Sequence, residues 1–483
     1  MQTQKDLYQA HRLMTQRLGM ALLQGEPDVP ESPMRRQNVA TFAGLLIAVL
    51  IVAGFGIWGL LSKGGHATKL TDPGQLLIEE ETGAAYVFNQ KSGRLQPVAN
   101  YVSARLLLDS QDIKVRSVSA ESLAGYTRGQ MVGIQGAPDS LPKKERLVKG
   151  PWSACVAETA DAAAGRRSYV TLVGGTDVGG TPVGDDEALL VNDGRQNWVL
   201  WANQRLRAAN VDRLTDQTPR RVPASWINAI PAGVDFAAPE IPQLGKKAVG
   251  PGGRAARVGH VYKVASVAGS SERWYVLLAD GIAPISNTEA LLLLQDPAIK
   301  AAYGRSGARE TLIDAASANA TKVSGQSVRK QGLPATMPRF RAPSVSAPLC
   351  AVYANTQKGS TSAVLTTGSK VHIPPPPASA GADKVDQVLL PPGSAVLAGT
   401  LPGDGQLSAV QQYSLITDQG KKFRLASADA IGKLGYEAKD VAPVPVHLLR
   451  LIPDGPALDP AAAMTPVQDV RNVQTNRTTQ TTG

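Results

Sequence analysis

The pattern of hydrophobic and polar residues divides the chain into a short polar arm, one long apolar segment and a large body of alternating residues. From Val39 to Leu61 there are twenty-three consecutive residues without a charged side chain. A helix of this length spans about 35 Å, which is enough to cross the hydrocarbon core of a bilayer. The segment therefore predicts a transmembrane helix over residues 39–61 and a single-pass membrane protein.

Two other kinds of segment share this composition, a buried core helix and a cleaved signal peptide. The apolar region of a signal peptide usually has about 7–15 residues. Here the run is longer, thirty-eight residues precede it and no Ala-x-Ala cleavage site follows it. We therefore expect an uncleaved anchor. Arg35 and Arg36 before it, against Lys63 and Lys69 after it, favour a cytoplasmic N-terminus.

The arm before the apolar segment has the pattern of one amphipathic helix. Its apolar positions recur at spacings of three and four residues, which forms one stripe: Leu7, His11, Met14, Leu18 and Leu22. Thr3 can cap the start of this helix, with Asp6 three residues later. Gly25 and Pro27 are expected to end it.

The apolar stripe of the arm needs a partner, because an isolated helix of this length is marginally stable in water. That partner is either a cytoplasmic domain of another protein or the lipid surface, and Arg12 and Arg17 suit both. Lipid-binding helices are usually richer in lysine and arginine, and here acidic residues offset the basic ones. We therefore favour a protein partner.

After residue 61, a strand–turn–strand–helix pattern recurs four times. The copies lie at residues 83–108, 189–214, 271–294 and 412–436. Each alternates apolar with polar residues, turns at Gly or Asp-Gly and ends in a short helix. One copy alone buries too little surface to be stable, so the copies should pack together. We expect an α+β, β-rich domain of about four related repeats in two lobes with helical inserts.

Segments rich in proline and glycine predict linkers at residues 236–259 and 333–348 and an extended surface segment at 373–381. From residue 465 the chain is rich in Thr, Gln and Asn, which is typical of a disordered tail. The expected organisation is a cytoplasmic arm (1–38), a transmembrane helix (39–61), an extracytoplasmic repeat domain (62–464) and a tail (465–483).

Charge and cysteine content refine this picture. The net charge is +10, but residues 1–61 contribute only +1, from five basic and four acidic residues. The excess in the body is diffuse and lacks a basic stripe with aromatic residues, so nucleic acid is not an expected partner. The two cysteines, Cys155 and Cys350, both follow the apolar segment. An even pair in an oxidising compartment favours a disulfide, with two unpaired core cysteines as the alternative.

No catalytic, cofactor-binding or metal-binding pattern is evident. A P-loop needs a glycine-rich loop that ends in Gly-Lys-Ser/Thr, and the glycine-rich residues 174–184 contain no lysine. We interpret them as a flexible hairpin insert. No Gly-x-Ser-x-Gly motif is present, and the five histidines are dispersed. An enzyme remains an alternative to a structural protein.

Several motifs, taken in order, carry a family resemblance. Besides the arm and the anchor, they are "LQPVANYVSARLLLD" (95–109), "GIQGAPDSLP" (133–142), Trp-x-x-Cys at Trp152–Cys155 and "HLLRLIPDGPALDPAAA" (447–463). In their order and spacing the chain resembles EccB, a membrane-complex subunit of actinobacterial type VII (ESX) secretion systems. The likeness extends to about Met464.

The resemblance implies a short cytoplasmic helix, one transmembrane helix and a large periplasmic domain of repeat lobes around a central core, with a Cys155–Cys350 disulfide. It implies assembly with EccC (the motor ATPase), EccD, EccE and other EccB copies in the lipid bilayer, and contact with the mycosin protease outside. The helix that starts at Thr3, with His11, Arg12 and Arg17, would dock the cytoplasmic parts of the complex.

The expected function is therefore a structural subunit of the cell (inner) membrane that helps to assemble and stabilise a protein-export channel, without a cofactor. Some family members are described as ATPases, although this sequence has no phosphate cradle. Two alternatives stay open: an enzyme that hydrolyses nucleotide or cell-wall glycan, and an envelope-binding module whose basic outer surface binds anionic polymers.

Overall fold

The computed structural model describes residues 3–24, 33–62, 68–108, 113–161, 165–265, 271–377, 381 and 383–467. They fall into two units. One lies within residues Met1–Lys69 and Val118–Gly125, and the other, which we call the body, lies within Leu70–Ser117 and Tyr126–Gly483. The predicted tail from residue 468 onward lies outside the described residues.

The described residues form eleven α-helices. They are α1 (Gln4–Gln24), α2 (Pro33–Ser62), α3 (Tyr101–Leu107), α4 (Ala120–Leu123), α5 (Ala224–Asn228), α6 (Asn287–Gln295), α7 (Lys300–Tyr303), α8 (Ala315–Ala320), α9 (Asp429–Lys433), α10 (Val446–Leu451) and α11 (Pro460–Ala463). Only the first two exceed nine residues, so the helices of the body are short.

The strands are more numerous, as the alternating sequence pattern predicts. They are β1 (Gln75–Glu79), β2 (Ala85–Asn89), β3 (Arg94–Pro97), β4 (Lys114–Val118), β5 (Trp152–Asp161), β6 (Gly165–Gly174), β7 (Thr181–Pro182), β8 (Glu187–Asn192), β9 (Asn197–Trp201), β10 (Gln204–Ala208), β11 (Arg220–Arg221), β12 (Lys247–Val249), β13 (Ala255–Arg257), β14 (Val261–Val264), β15 (Arg273–Leu277), β16 (Ile282–Ile285), β17 (Thr311–Ile313), β18 (Arg339–Arg341), β19 (Leu349–Tyr353), β20 (Val364–Thr367), β21 (Gln387–Leu389), β22 (Ala395–Leu401), β23 (Tyr413–Thr417), β24 (Lys422–Arg424) and β25 (Ala442–Pro445). The chain is a mixed α+β protein with a β-rich body.

Four sheets of the body have the same strand order. Each contains three consecutive strands with a later strand beside the first, in the orders β3-β2-β1-β4, β10-β9-β8-β11, β16-β15-β14-β17 and β24-β23-β22-β25. In the last three sheets the added strand runs parallel to its neighbour. Helices α3, α6 and α9 follow the hairpins β2–β3, β15–β16 and β23–β24. These are three of the four segments in which the sequence predicts a hairpin and a short helix. The fourth, residues 189–214, ends in a single 3₁₀ turn, Val211–Arg213.

A six-stranded sheet, in the order β21-β6-β5-β19-β20-β7, contains the two longest of the described strands, β5 and β6. One of its faces supports the largest core cluster, in which Trp152 and Tyr353 pack with Trp226 of α5 and Leu448 of α10. The indole Nε1 of Trp226 donates to the carbonyl oxygen of Ala154 at 3.0 Å. Helix α5 is thereby attached to the sheet by both apolar packing and a buried hydrogen bond.

Three segments depart from their sequence-based interpretation. The predicted linker at 236–259 contains the antiparallel ribbon β12–β13, and the predicted linker at 333–348 contains β18, which pairs with β8. The predicted flexible hairpin insert at 174–184 does contain a strand, β7, but that strand pairs with β20 and not with the neighbouring β6. The two linker predictions were wrong because their strands are too short for a recognisable alternation.

Candidate functional site

Helix α2 contains an exposed apolar surface. Within the described residues it alone is long and apolar enough to cross a membrane, over Gln37–Gly59, and none of the residues in its most apolar window is buried. Phe42 and Trp58, for example, are 75% and 74% exposed. A core helix of a soluble domain would bury such side chains. The structure therefore contradicts the alternative of a buried core helix.

Helix α1 begins as its sequence predicts. The backbone N–H and the hydroxyl of Thr3 both donate to Oδ2 of Asp6, at 3.2 and 2.5 Å. These hydrogen bonds from Thr3 hold the pKa of the Asp6 carboxyl below its ordinary value. A carboxylate in the first turn also interacts favourably with the helix dipole. The described helix ends at Gln24, so the predicted stop signals at Gly25 and Pro27 lie outside the described residues.

The stripe of α1 is exposed along its length. At 3.6 residues per turn its five positions fall within an arc of about 80°, and the exposed fractions of its large apolar members are 65% for Leu7, 68% for Met14, 60% for Leu18 and 81% for Leu22. His11, Arg12 and Arg17 are exposed too. An apolar stripe without a covering surface is typical of a helix that docks on a partner.

The two cysteines form a disulfide. Cys155 of β5 and Cys350 of β19 lie directly opposite each other in the antiparallel register, with their Cα atoms 4.1 Å apart. Both are buried, on the face of the six-stranded sheet that also carries Tyr169, Val178 and Ile373. The disulfide is confirmed, and the alternative of two unpaired cysteines is wrong. It joins positions 195 residues apart in the chain.

Two of the motifs that carry the family resemblance meet around helix α3. Asn100 caps the helix by accepting from the N–H of Ser103 at 2.9 Å, and its Nδ2 donates to the carbonyl oxygen of Ile134 at 2.7 Å. The N–H of Ile134 donates in turn to Oγ of Ser103 at 2.9 Å. Gly133 has φ +147°, and a Cβ there would lie 2.9 Å from the Cβ of Ala99. A glycine is required at this close approach.

The last described residues of the body join the same junction. The N–H of Gly133 donates to the carbonyl oxygen of Thr465 at 3.2 Å, and the N–H of Val467 donates to that of Met131 at 2.9 Å. Nε of Arg105 on α3 donates to the carbonyl oxygen of Lys433 at 3.0 Å. The segment around the first sheet of the body is therefore hydrogen-bonded to residues 465–467.

Sequence reasoning missed a polar cluster inside the body. The Tyr353 hydroxyl donates to the carbonyl oxygen of Ala229 and lies 2.8 Å from Nε2 of His447. A hydroxyl has a single hydrogen, so Nε2–H of His447 donates to the tyrosine oxygen. Burial, and then the charge of Arg205, lower the pKa of His447 from 6.5 to about 4. Burial also raises the pKa of Tyr353.

Arg205 is held beside this cluster by two side chains, Asn228 of α5 and Trp198 of β9. Its Nη1 donates to Oδ1 of Asn228 at 2.7 Å, and its guanidinium lies 5.2 Å from the ring centroid of Trp198. Trp198 Nε1 donates to Asp193 at 2.9 Å. The cluster therefore holds a neutral imidazole in a fixed orientation. The Tyr353 hydroxyl, His447 Nε2 and Arg205 Nη1 all bond to protein groups, which is typical of a structural role, whereas Nε of Arg205 is buried without a hydrogen-bond partner among the described residues.

The glycine-rich residues 174–184 do not have the geometry of a phosphate cradle. A P-loop runs from a strand into the N-terminus of a helix, whose N–H groups face the phosphates. Here the segment runs from β6 into β7, a strand, and contains no lysine. In the described part of the chain, no group of three or more His, Cys, Asp or Glu side chains is arranged to hold a metal ion.

Curated relatives with a similar sequence come from mycobacteria. The "ESX-3 secretion system ATPase EccB3" of Mycolicibacterium smegmatis is 31% identical over 281 residues, which cover 54% of this chain and 51% of that protein. The "ESX-2 secretion system ATPase EccB2" of Mycobacterium tuberculosis is 27% identical over 464 residues, which cover 89% of this chain and 88% of that protein. The first match therefore spans about half the length of that relative.

Solved structures share the fold. A chain of "Structure of an intact ESX-5 inner membrane complex" has a TM-score of 0.61 at 22% identity and covers 97% of this chain and 96% of its own length. A chain of "Structure of EccB3 dimer from the ESX-3 core complex" has a TM-score of 0.59 at 25% identity, with 81% and 99% covered. The family model "Type VII secretion system ESX-1, transport TM domain B" matches residues 1–471. The chain therefore belongs to the EccB family of type VII secretion systems.

Proposed function

We propose that this protein is a structural subunit of a type VII secretion membrane complex and helps to assemble and stabilise its protein-export channel. One observation carries the proposal: along the chain, an exposed apolar helix long enough to span a bilayer follows a small amphipathic helix and precedes a large β-rich body. The solved relatives are described as parts of an ESX-5 inner membrane complex and of an EccB3 dimer in an ESX-3 core complex. By analogy with these relatives, we infer that this chain assembles into a similar membrane complex.

In this proposal residues 1–38 lie in the cytoplasm, residues 39–61 cross the inner membrane and residues 62–464 lie outside it. The disulfide supports the outer position of the body, because disulfides persist in oxidising compartments. Arg35 and Arg36 support the cytoplasmic position of the N-terminus. The common strand order of the four small sheets supports the interpretation that they are related repeats, in two lobes around the six-stranded sheet.

The exposed stripe of α1 is the proposed cytoplasmic docking surface. Its apolar members would be buried against the cytoplasmic parts of EccC, EccD or EccE, while Arg12 and Arg17 contact acidic side chains at the edge. Outside the membrane, the body would contact the mycosin protease and other copies of this chain. The size and folding of the body suit it to hold such neighbours together, because a rigid β-rich unit presents fixed surfaces.

Substitution in the stripe tests the docking. Leu18→Asp places a charge among the apolar side chains, whereas Gln16→Asp adds the same charge on the opposite face of α1, where the side chain is also exposed. We expect Leu18→Asp to reduce the yield of co-purified membrane subunits about tenfold. The Gln16→Asp variant should keep the wild-type yield, and both chains should still reach the membrane. Equal yields from both variants would contradict the proposed docking surface.

The names of the curated relatives favour a second candidate function, ATP hydrolysis. It can be tested with the purified full-length protein, Mg²⁺ and ATP, by measuring release of inorganic phosphate. Because residues 174–184 lack the lysine and the helix of a P-loop, we expect no release above that of a protein-free control. Release that scales with protein concentration and persists after removal of the other subunits would favour the ATPase.

A further inference from the structure

The antiparallel β12–β13 ribbon places two basic residues directly opposite each other on an exposed face. Three pairs of residues face each other across it: Lys247–Arg257, Ala248–Ala256 and Val249–Ala255. Because side chains alternate between faces, the first and third pairs share one face and the second pair takes the other. Ala248 and Ala256 are partly buried against the cluster of Tyr262, Leu277 and Ile282. The face that carries Lys247 and Arg257 is exposed.

The ribbon concentrates positive charge. Lys246, Lys247, Arg254 and Arg257 are all exposed, and the sequence contains no acidic residue between Glu240 and Glu272. Glu272 already forms an ion pair with another cation: its Oε1 lies 2.7 Å from Nζ of Lys263. Among the described residues, no ion pair involves the four cations of the ribbon. Like charges directly opposite each other destabilise a strand pair, so an anionic ligand would relieve this repulsion.

Exposed apolar side chains and a groove lie near the ribbon, and Arg254 is the one of its four cations that lines the groove. Val249 is 69% exposed, and Leu312 of β17 is 67% exposed. A groove of 390 Å³ runs between the tip of the ribbon and the β17–α8 segment, and its lining includes Arg254, Tyr262 and Leu312. This volume suits a few side chains of a polypeptide. A flat lipid surface would not enter such a groove.

Two features of the groove wall formed by β17 and the start of α8 also affect which ligand can bind. Asp314 lines the groove, but its carboxylate already accepts from the N–H and the hydroxyl of Ser317, at 2.6 and 3.0 Å. Strand β17 pairs only with β14 among the described strands, so its other edge is open. An extended peptide can hydrogen-bond to such an edge.

We propose that the basic ribbon (residues 246–257) and the adjoining groove bind an extended acidic segment of a partner protein, in which carboxylates alternate with apolar side chains. Carboxylates of the segment pair with Arg254 in the groove and with Lys247 and Arg257 on the outer face of the ribbon. Its apolar side chains cover Leu312 in the groove and Val249 beside Lys247. An anionic polysaccharide or polyphosphate would satisfy the charges but would leave the apolar side chains exposed. The mixture of cations and exposed apolar residues therefore favours a peptide. This inference does not depend on the docking of α1.

The test uses full-length protein in detergent and a fluorescein-labelled octapeptide of alternating Glu and Val, with binding measured by fluorescence anisotropy. The ribbon variant is Lys247→Glu/Arg257→Glu. The matched control is Lys91→Glu/Arg94→Glu, which makes the same charge change at two exposed residues of the β2–β3 hairpin. We expect the ribbon variant to bind the peptide about tenfold or more weakly and the control to bind it within about twofold of wild type. Equal loss in both variants would overturn the proposal.

A second comparison distinguishes a peptide from a polymer and guards against misfolding. Val249→Ser keeps every charge and should weaken binding of the Glu-Val peptide while leaving the binding of polyphosphate unchanged. A Gln-Val octapeptide should bind more weakly than the Glu-Val peptide. Near-ultraviolet circular dichroism of each variant should match wild type. The proposal is overturned if the Glu-Val peptide fails to bind wild type, or if polyphosphate binds more tightly than the peptide and Val249→Ser has no effect.

Discussion

At the scale of single residues, His447 makes the stability of the body dependent on pH. Its pKa in the folded chain is about 4, compared with an ordinary value of 6.5, because the imidazole is buried and lies near the charge of Arg205. Between these two values the unfolded chain binds a proton that the folded chain does not. The free energy of unfolding therefore falls as the pH drops from 6.5 to 4, by at most about 3 kcal/mol for this group.

The contribution of His447 can be isolated with two variants of the full chain in detergent. His447→Gln removes the titrating group from the interior, and His372→Gln removes an exposed histidine. We expect the loss of thermal stability between pH 6.5 and 4.5 to be smaller in His447→Gln than in wild type, and unchanged in His372→Gln. An unaltered pH dependence in the His447 variant would show that the histidine is not buried in neutral form.

The disulfide is the second residue-scale contribution. It closes a loop of 195 residues, and a loop of this length gives a stabilisation of about 5 kcal/mol in the chain-entropy account, although measured values are usually about 2–5 kcal/mol. We expect dithiothreitol to lower the urea midpoint of unfolding of the full chain. The Cys155→Ala/Cys350→Ala variant should start at the lower midpoint and show no response to the reductant. A wild-type midpoint that is insensitive to reduction would contradict this contribution.

Contacts between residues distant in sequence were the features that the sequence predicted least well. His447 contacts Tyr353, which lies 94 residues earlier, and Tyr353 contacts Ala229, a further 124 residues away. No local pattern marks such partners, because each residue alone is compatible with an exposed or a buried position. The spacing of the two cysteines likewise left their pairing open. Only the family resemblance assigned it before the structure placed them opposite each other.

At the scale of secondary-structure elements, charge repulsion within the β12–β13 ribbon lowers the free energy of unfolding by an amount that can be measured. Lys247 and Arg257 are directly opposite each other, and like charges at such positions repel. Lys247→Glu changes this repulsion into attraction. We expect the single variant to raise the free energy of unfolding by about 0.2–1 kcal/mol.

Thermal unfolding of wild type, Lys247→Glu and Lys91→Glu provides the comparison for the ribbon. Lys91 is exposed in a turn and forms no ion pair among the described residues, so its substitution should be neutral. If Lys247→Glu is more stable but binds the acidic octapeptide more weakly, the charge of the ribbon serves recognition at the expense of stability. A destabilised Lys247→Glu variant would show that the two cations do not repel each other.

Elements with a strong local pattern were predictable, and elements that depend on distant partners were not. Helix α1 has apolar residues at helical spacing and a capping residue at its start, and the hairpin β15–β16 has alternating strands around Asp280–Gly281. In each case the residues that form the signal lie close together in the sequence. Strands β7 and β18 have only two or three residues each and pair with strands far away in sequence. Their proline-rich and glycine-rich surroundings resemble linkers.

At the scale of the whole molecule, long-range connections unite the body. Strand β19 pairs with β5 and is joined to it by the disulfide, and residues 465–467 bond to the segment after α3. Early and late parts of the chain therefore depend on each other. This organisation agrees with the proposed role of a structural subunit, which must keep separate surfaces in fixed positions.

The central claim is that one membrane-spanning helix separates a cytoplasmic α1 from an extracytoplasmic body. The native cysteines are bonded to each other, so a single new cysteine can report its own exposure to a membrane-impermeant maleimide. Gln4→Cys places it on α1 and Ser92→Cys places it on an exposed turn of the body. In intact, wall-stripped cells we expect labelling of Ser92→Cys at once and of Gln4→Cys only after lysis. Labelling of both variants in intact cells, or of Gln4→Cys alone, would contradict the account.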